Sequence, residues 1–390
     1  MSALERYAVP SPVLFGASSV GRLGELASEY GIGRPFVVTD KGLVACGLFE
    51  RALAGLGDSS GCGAPPVFDA VSANPREEDV LGALEQYRTA GADGIVAVGG
   101  GSVIDAAKAL RLLSSHGGDL VEYDLLKGGA QRICQPMAPL LAVPTTAGTG
   151  SEVSRGALIV TRRGEVVRKT VVASPRLVPS IAVLDPELTL ELPVPLTIGT
   201  GFDALCHGVE EHVSPRFHPV VEALALGAVA RVKDSLPRVL SEPSDVDARG
   251  DMLLAALMAG AGFEKGLGVV HSLSHAVGAL HDLHHGLLNA VLLPHALEFN
   301  RAHVRAGTWE KLAGALGLAH ANSDAAFEGI LDWLGELNEA CDVPSRLRDL
   351  KELASDREEI LARALDDHCH RTNPRPCGVP EFEEFWQRSY

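Results

Sequence analysis

The apolar residues of this chain change their period once, near Asp185-Pro186-Glu187-Leu188-Thr189, and that change limits what each half can become. Before it, Pro35-Phe36-Val37-Val38-Thr39-Asp40, Gly94-Ile95-Val96-Ala97-Val98-Gly99 and Leu140-Leu141-Ala142-Val143-Pro144-Thr145 are short apolar runs closed by turn residues, the mark of buried parallel strands. Between them, Arg76-Glu77-Glu78-Asp79-Val80-Leu81-Gly82-Ala83-Leu84-Glu85-Gln86-Tyr87 has helical spacing with acids in its first turn, which suits the helix dipole. Strand–helix alternation of this kind predicts an open α/β sheet. Residues 165–173 and 180–184 add strand-like runs, read as a hairpin edge. After Pro193 and Pro195 the pattern is helical only, as in 221–239 and 251–262. The expected architecture is therefore an α/β dinucleotide-binding domain with a Rossmann-like parallel sheet over 1–187, followed by an all-helical domain over 188–390. A length of 390 residues, too long for one ordinary core, agrees with two domains.

Composition excludes several classes of function. Hydrophobic residues form 46% of the chain and charged residues 22%, a globular balance without low-complexity bias. A net charge of −16 leaves no basic cluster to neutralise phosphates, so no nucleic-acid partner is expected. No apolar run is long enough to span a bilayer, and Met1-Ser2-Ala3-Leu4-Glu5-Arg6 lacks the pattern of a secretory signal. The seven cysteines are scattered without a Cys-x-x-Cys pair, which reads as reduced thiols in a cytoplasmic protein.

The glycine run Gly99-Gly100-Gly101-Ser102 closes a strand and opens the helix starting Val103-Ile104-Asp105. Glycines let a backbone approach a pyrophosphate, and a helix N-terminus offers it free N–H groups and positive potential. A tight turn without a ligand has the same local sequence, and the spacing is not Gly-x-Gly-x-x-Gly. Asp40, at the end of its strand, could bind a ribose 2′-hydroxyl and repel a 2′-phosphate, or it could cap the helix before Leu43. The hydroxyl-rich turn Pro144-Thr145-Thr146-Ala147-Gly148-Thr149-Gly150-Ser151-Glu152 either wraps the cofactor from its other side or caps the next helix.

In the second half, Asp203 and His207 stand four apart, which places them on one face of a helix. His271 and His275 repeat the spacing, and His285 follows in His284-His285-Gly286. Five of the fourteen histidines fall between His271 and His285, a clustering that favours ligands over solitary core histidines. One carboxylate with three imidazoles and no thiolate suits Fe²⁺ or Zn²⁺ and leaves positions open for a substrate oxygen. Such a cation polarises an alkoxide or carbonyl, the chemistry a hydride transfer needs. His275, one turn beyond His271, fits a proton carrier better than a ligand. Cys206 points off the ligand face and reads as packing, while His281 and His284 remain open between pocket, ligand and surface roles.

These segments together resemble the iron-containing (group III) alcohol dehydrogenases, a family related in fold to glycerol dehydrogenase and dehydroquinate synthase. The resemblance spans nearly the whole chain and rests on Val38-Thr39-Asp40-Lys41-Gly42-Leu43, Gly99-Gly100-Gly101-Ser102, Thr145-Thr146-Ala147-Gly148-Thr149, Asp185-Pro186-Glu187-Leu188-Thr189, Gly201-Phe202-Asp203-Ala204-Leu205-Cys206-His207, the histidine segment and Asn373-Pro374-Arg375. It implies a divalent metal, Fe²⁺ with Zn²⁺ as the alternative, on Asp203, His207, His271 and His285, and proton transfer or substrate contact by His275. It also implies NAD, with Asp40 at the adenosine ribose, Gly100, Gly101 and Ser102 at the pyrophosphate, and Thr145, Thr146 and Thr149 around the adenine or nicotinamide side. Asp105 and Lys169 occupy family positions near the cofactor, Cys369 lines the pocket, and the protein is expected as a homodimer or larger homo-oligomer. Two departures bear on the substrate: His284 stands where the family often has proline, and Phe263-Glu264-Lys265-Gly266-Leu267-Gly268 is one residue shorter than in many relatives.

The leading expectation is NAD-dependent interconversion of a primary alcohol and its aldehyde. The runner-up is reduction of an anionic semialdehyde or maleylacetate-like acid, with Lys265 or Arg155 pairing the acid group. A lyase of the dehydroquinate synthase type would need several basic residues that the segments above do not supply, and a non-catalytic sensor of NAD and metal is the last alternative.

Overall fold

The computed structural model describes residues 11–57, 64–164 and 166–390; the N-terminal segment, Cys62 and Glu165 lie outside the described residues. Eight strands occur among them: β1 (Val13–Phe15), β2 (Pro35–Val38), β3 (Val67–Phe68), β4 (Gly94–Gly99), β5 (Leu140–Pro144), β6 (Gly156–Arg163), β7 (Val166–Ala173) and β8 (Ile181–Leu184). Six form one parallel sheet in the order β1-β8-β5-β4-β2-β3. Every residue of β2, β4, β5 and β8 is buried, because helices cover both faces and leave no side for a polar alternation.

The two faces sort the side chains by parity. Phe36, Val38, Ile95, Ala97, Leu140 and Ala142 enter one core, while Val37, Val96, Val98, Leu141, Val143 and Val183 enter the other. Helices α1 (Leu23–Glu29), α2 (Lys41–Ala45) and α3 (Leu48–Leu56) serve the second core through Leu23, Leu26, Leu43, Phe49 and Ala52. The first core is closed by α4 (Glu77–Thr89) and α5 (Gly101–His116), with Val80, Leu84, Tyr87, Val103 and Ile104. Gly99 is required at the strand end, since a Cβ there would meet Val103 Cγ2 at 2.5 Å.

The expected hairpin edge is corrected in two ways. Residues 166–173 pair antiparallel with β6, which the sequence reading missed, and the pair forms its own two-stranded sheet. Gly164, at φ +61, supplies the left-handed turn, and β6 alternates half-buried with buried positions as a two-sided ribbon does. Strand β8 belongs instead to the interior of the large sheet, between β1 and β5, in keeping with its uniform burial.

By compactness the chain divides into one unit of residues up to Thr145 together with Ser151–Leu188, and another of Thr146–Gly150 with Thr189–Tyr390. The second unit contains no strand among the described residues. Its helices are α6 (Val194–Val213), α7 (Pro219–Ser241), α8 (Val246–Gly260), α9 (Val269–His281), α10 (His285–Asn300), α11 (Thr308–Ala315), α12 (Ser323–Ala340), α13 (Leu347–Leu350), α14 (Arg357–Asp366) and α15 (Val379–Ser389). Helix α6 is buried along almost its whole length, so it forms the axis around which the others pack. The start of α10 touches the α6 backbone: a Cβ on Gly286 would fall 1.9 Å from the Gly199 carbonyl oxygen. That close approach draws His285 toward the Asp203 face of α6.

Candidate metal centre

Three helices carry the expected ligands: Asp203 and His207 on α6, His271 on α9 and His285 at the start of α10. The structure brings all four together. Asp203 Oδ1 stands 3.7 Å from His207 Nε2, 3.6 Å from His271 Nε2 and 3.5 Å from His285 Nε2. Donors held at about 2.0–2.2 Å from one shared ion adopt separations of this size, so the residues fit a divalent cation. Asp203, His207 and His271 are each almost completely buried, and the carboxylate is the anion that compensates the cluster. Burial opposes charge on Asp203, but His207, His285 and His271 hold its carboxyl well below the usual carboxylate range. Burial lowers His207 to about 4, whereas His271, despite the same burial, is pushed up to about 9 by Glu210 and Asp203.

The sequence reading missed three residues that hold this cluster. Glu210, on the same face of α6, accepts from the Val270 amide at 2.8 Å and pairs with His271 Nδ1 at 2.5 Å. A carboxylate on the far nitrogen fixes the tautomer and orientation of a ligating imidazole, leaving Nε2 for the ion. Its spacing of three from His207 was a readable signal. Asn289, one turn after His285, directs Nδ2 to Asp203 Oδ1 at 2.9 Å, and lies 3.2 Å from His285 Nε2 and 3.3 Å from His271 Nε2. Asp367, at the end of α14, bonds His275 Nδ1 at 3.0 Å across a separation of 92 residues, for which no local signal exists.

Asp367 Oδ1 also accepts from Ser272 Oγ and from the Cys369 amide. Burial opposes its charge, yet His275, His368 and these donors keep it well below the usual carboxylate range. His275 itself is 9% exposed and stacks on His285, with ring centroids 5.0 Å apart. Its Nδ1 is the nitrogen that the Asp367 carboxylate engages. Cys369 is buried, and burial raises its thiol well above the usual range. Cys206 is buried too and reaches the Asn289 carbonyl, which fits packing.

The remaining residues of the histidine segment have defined neighbours. His284 precedes α10, and its ring presses on Gly199, where a Cβ would lie 2.4 Å from Cε1. His281 stands 3.4 Å from the Asp356 carboxylate. Phe263 packs its ring on His207 at 4.7 Å. Lys265 requires a correction: it is not placed to pair with a substrate acid. Its side chain is fully buried, and Nζ donates to the His212 carbonyl at 2.9 Å near Glu222 and Glu211. Asn373 of Asn373-Pro374-Arg375 exchanges amide hydrogen bonds with Asn300 and accepts from the Val269 amide, so this motif anchors the start of α9.

In the α/β unit the expected cofactor residues are more dispersed. Gly100 precedes α5 and Gly101 and Ser102 form its first turn, where amide groups have no partner within the helix. Ser102 Oγ donates to the Ala73 carbonyl at 2.5 Å. Thr145 is buried and its amide bonds the Gly99 carbonyl, continuing the sheet ladder. Thr146 and Thr149 belong by compactness to the helical unit. Asp40 caps α2 by accepting from the Leu43 amide at 3.0 Å, so the capping alternative is realised, with its second oxygen still able to accept. Asp105 accepts from Ser151 Oγ at 2.5 Å and from the Leu158 amide at 2.9 Å, beside the fully buried Lys108. Lys108 donates to Ser151, Ser154 and the Gly156 carbonyl, so this pair clamps the β6–β7 ribbon to α5. Lys169 lies on β7 opposite Val160.

Comparison with known proteins agrees with this geometry. Residues 10–186 match the family model of the iron-containing alcohol dehydrogenases, and residues 197–390 match the model of the C-terminal part of that family. The chain is 41% identical to the 4-hydroxybutyrate dehydrogenase of Cupriavidus necator over 96% of each chain. It is 31% identical to the NAD-dependent methanol dehydrogenase of Bacillus methanolicus over 98% of each. Among solved structures, a 1,3-propanediol oxidoreductase superposes with a TM-score of 0.92 at 32% identity, covering all of both chains. The chain belongs to the iron-containing alcohol dehydrogenase family.

Proposed function

We propose that this protein interconverts a primary alcohol and its aldehyde with NAD(H), using a divalent metal, Fe²⁺ before Zn²⁺, on Asp203, His207, His271 and His285. The observation that carries the reading is the convergence of three imidazole Nε2 atoms within 3.7 Å of one buried carboxylate oxygen. A cation there supplies Lewis acidity to the substrate oxygen. Glu210 orients His271, and Asn289 orients Asp203, so the donors are in place before the ion arrives. His275, oriented by Asp367, moves the proton between the substrate oxygen and solvent. Phe263, against His207, excludes water from that side.

In the α/β unit, Gly100, Gly101 and Ser102 at the start of α5 receive the pyrophosphate, and Asp40 receives the adenosine ribose. Thr145, directly after β5 in the same unit, adds to the cofactor site. Asp105 acts through Ser151 and Leu158 by fixing the ribbon that carries Lys169. NAD bound there supplies the hydride acceptor. A 2′-phosphate, with nearly two negative charges, is repelled by Asp40.

A second reading narrows the substrate to a hydroxy acid such as 4-hydroxybutyrate, on the strength of the 41% identical relative of that name. Lys265 does not recognise the acid group in that case. Both readings are tested by following NADH absorbance with a panel of neutral aldehydes and the semialdehyde of 4-hydroxybutyrate, with metal content measured on the same protein. Aldehyde-dependent NADH oxidation that scales with bound metal is the expected result. No turnover on any member by metal-loaded protein contradicts both readings.

A further inference from the structure

Arg249, near the start of α8, is a buried cation held by neutral groups. It is 3% exposed, and a guanidinium has five N–H groups and does not give up its charge. Nε donates to the Pro243 carbonyl at 3.0 Å, one terminal nitrogen to Thr197 Oγ1 at 3.3 Å and the other to the Leu190 carbonyl at 3.5 Å. None of these acceptors is charged, and two N–H groups remain. No carboxylate of the described residues pairs with Arg249, and burial alone acts on its pKa, lowering it. The acids at the same helix end are directed elsewhere: Asp245 caps the Ala248 amide and pairs with Arg238, and Asp247 is exposed. Water has been displaced from a fixed charge without an opposite charge replacing it, which protein interiors avoid.

A cavity lies beside the guanidinium. Thr189, Thr197, Thr200, Val239, Met252 and Arg249 are among its lining residues, and it has room for one water-sized group. No lining side chain is acidic. Thr197 and Thr200 direct their hydroxyls to the Leu192 and Leu196 carbonyls, and a hydroxyl can rotate to donate inward instead. Methyl and thioether groups form the rest of the wall. A space this small, cationic on one side and otherwise mostly apolar, suits a monoatomic anion better than a carboxylate or phosphate. We propose that this cavity is a halide site, in which chloride serves as the counter-ion of Arg249 and joins α6, α7 and α8. The site uses none of the residues assigned to the metal or the dinucleotide, so it is independent of the function proposed above.

The test is thermal unfolding of the full chain as chloride replaces gluconate at constant ionic strength, gluconate being too bulky for the cavity. An anion that binds only the folded state raises Tm by mass action, here by about 2 °C or more between about 1 and about 100 mM chloride. Bromide should act in the same way. Arg249→Met, similar in length and uncharged, should lose the response. A wild-type Tm that ignores the exchange overturns the proposal. An equal rise in Arg249→Met overturns it too, since the effect would then be a general one of salt. If Arg249→Met does not fold, anomalous scattering from wild-type crystals grown in bromide decides. A bromide peak beside the guanidinium supports the site, and water alone at that position overturns it.

Discussion

The helices of the proposed metal centre and the glycine turn of the sheet build their sites by opposite means. In the helical unit, side chains from α6, α9 and α10 converge on one buried carboxylate, with Glu210 holding His271, Ser274 on His285 and Asn289 on Asp203. In the α/β unit the proposed anion site is backbone, the first turn of α5, while the side chains around it are engaged in structure. Asp40 caps α2, and Asp105 clamps the ribbon. The lesson is that a site made of buried charges needs partners and tolerates few changes, whereas a site made of amide groups leaves its side chains free for other work. Substitutions should therefore separate the two regions by size and by kind of effect.

The largest effect belongs to the ligands. Asp203→Ala and His271→Ala should remove most bound metal and lower turnover by several orders of magnitude, while NAD(H) binding to the α/β unit stays within about twofold of wild type. Metal analysis and cofactor titration on the same preparations check this. Loss of both together would mean that the regions are not independent.

Asp105→Ala comes next and should act on the fold. It leaves the fully buried Lys108 without its carboxylate, at a cost of about 3 kcal/mol, the low end for unpairing a buried charge. Denaturant unfolding measures it, and a stability equal to wild type would assign Asp105 to the cofactor alone.

His275→Ala should retain metal and NAD(H) while lowering turnover per metal atom by about a hundredfold, the low end for lost acid–base catalysis. Asp367→Asn should move turnover in the same direction by less, because the imidazole remains but loses its orienting charge. If His275→Ala instead sheds metal with the rate per metal unchanged, the residue packs the centre and carries no proton.

The smallest effect is at Asp40. Asparagine caps helices as well as aspartate does, so Asp40→Asn should leave stability unchanged. Without the charge, the preference for NAD(H) over NADP(H) should weaken by about tenfold, equal to about 1.4 kcal/mol of relieved repulsion. Equal use of both cofactors by wild type would remove Asp40 as the selector.

Legibility in the sequence followed the range of the interactions. The central strands were visible because β4 and β5 are buried on both faces and read as unbroken apolar runs. The pairing of 156–163 with 166–173 was missed although Ala157-Leu158-Ile159-Val160 is an apolar run, because that run directly follows the hydroxyl-rich turn and was absorbed into it, leaving 166–173 without its partner. Asp203 with His207, and His271 with His275, announced themselves by helical spacing, His285 by the histidine clustering, and Glu210 could have been found by the first of these signals. Asp367 could not, since only the packing of α9 against the segment after α14 brings it to His275. Lys265 was misread because a lysine beside the histidines suggests a ligand for an acid, while its burial depends on the His212 carbonyl and the carboxylates of neighbouring helices.

One titration addresses the central claim, that a single cation on Asp203, His207, His271 and His285 carries the chemistry while the α/β unit binds the dinucleotide without it. Metal-stripped protein is titrated anaerobically with Fe²⁺ in the presence of saturating NADH and aldehyde, recording bound metal and NADH oxidation together. The account predicts NADH binding at zero metal, no turnover there, and a rate rising in proportion to bound metal up to one ion per chain. Full turnover by the stripped protein, or a rate unrelated to bound metal, would contradict it.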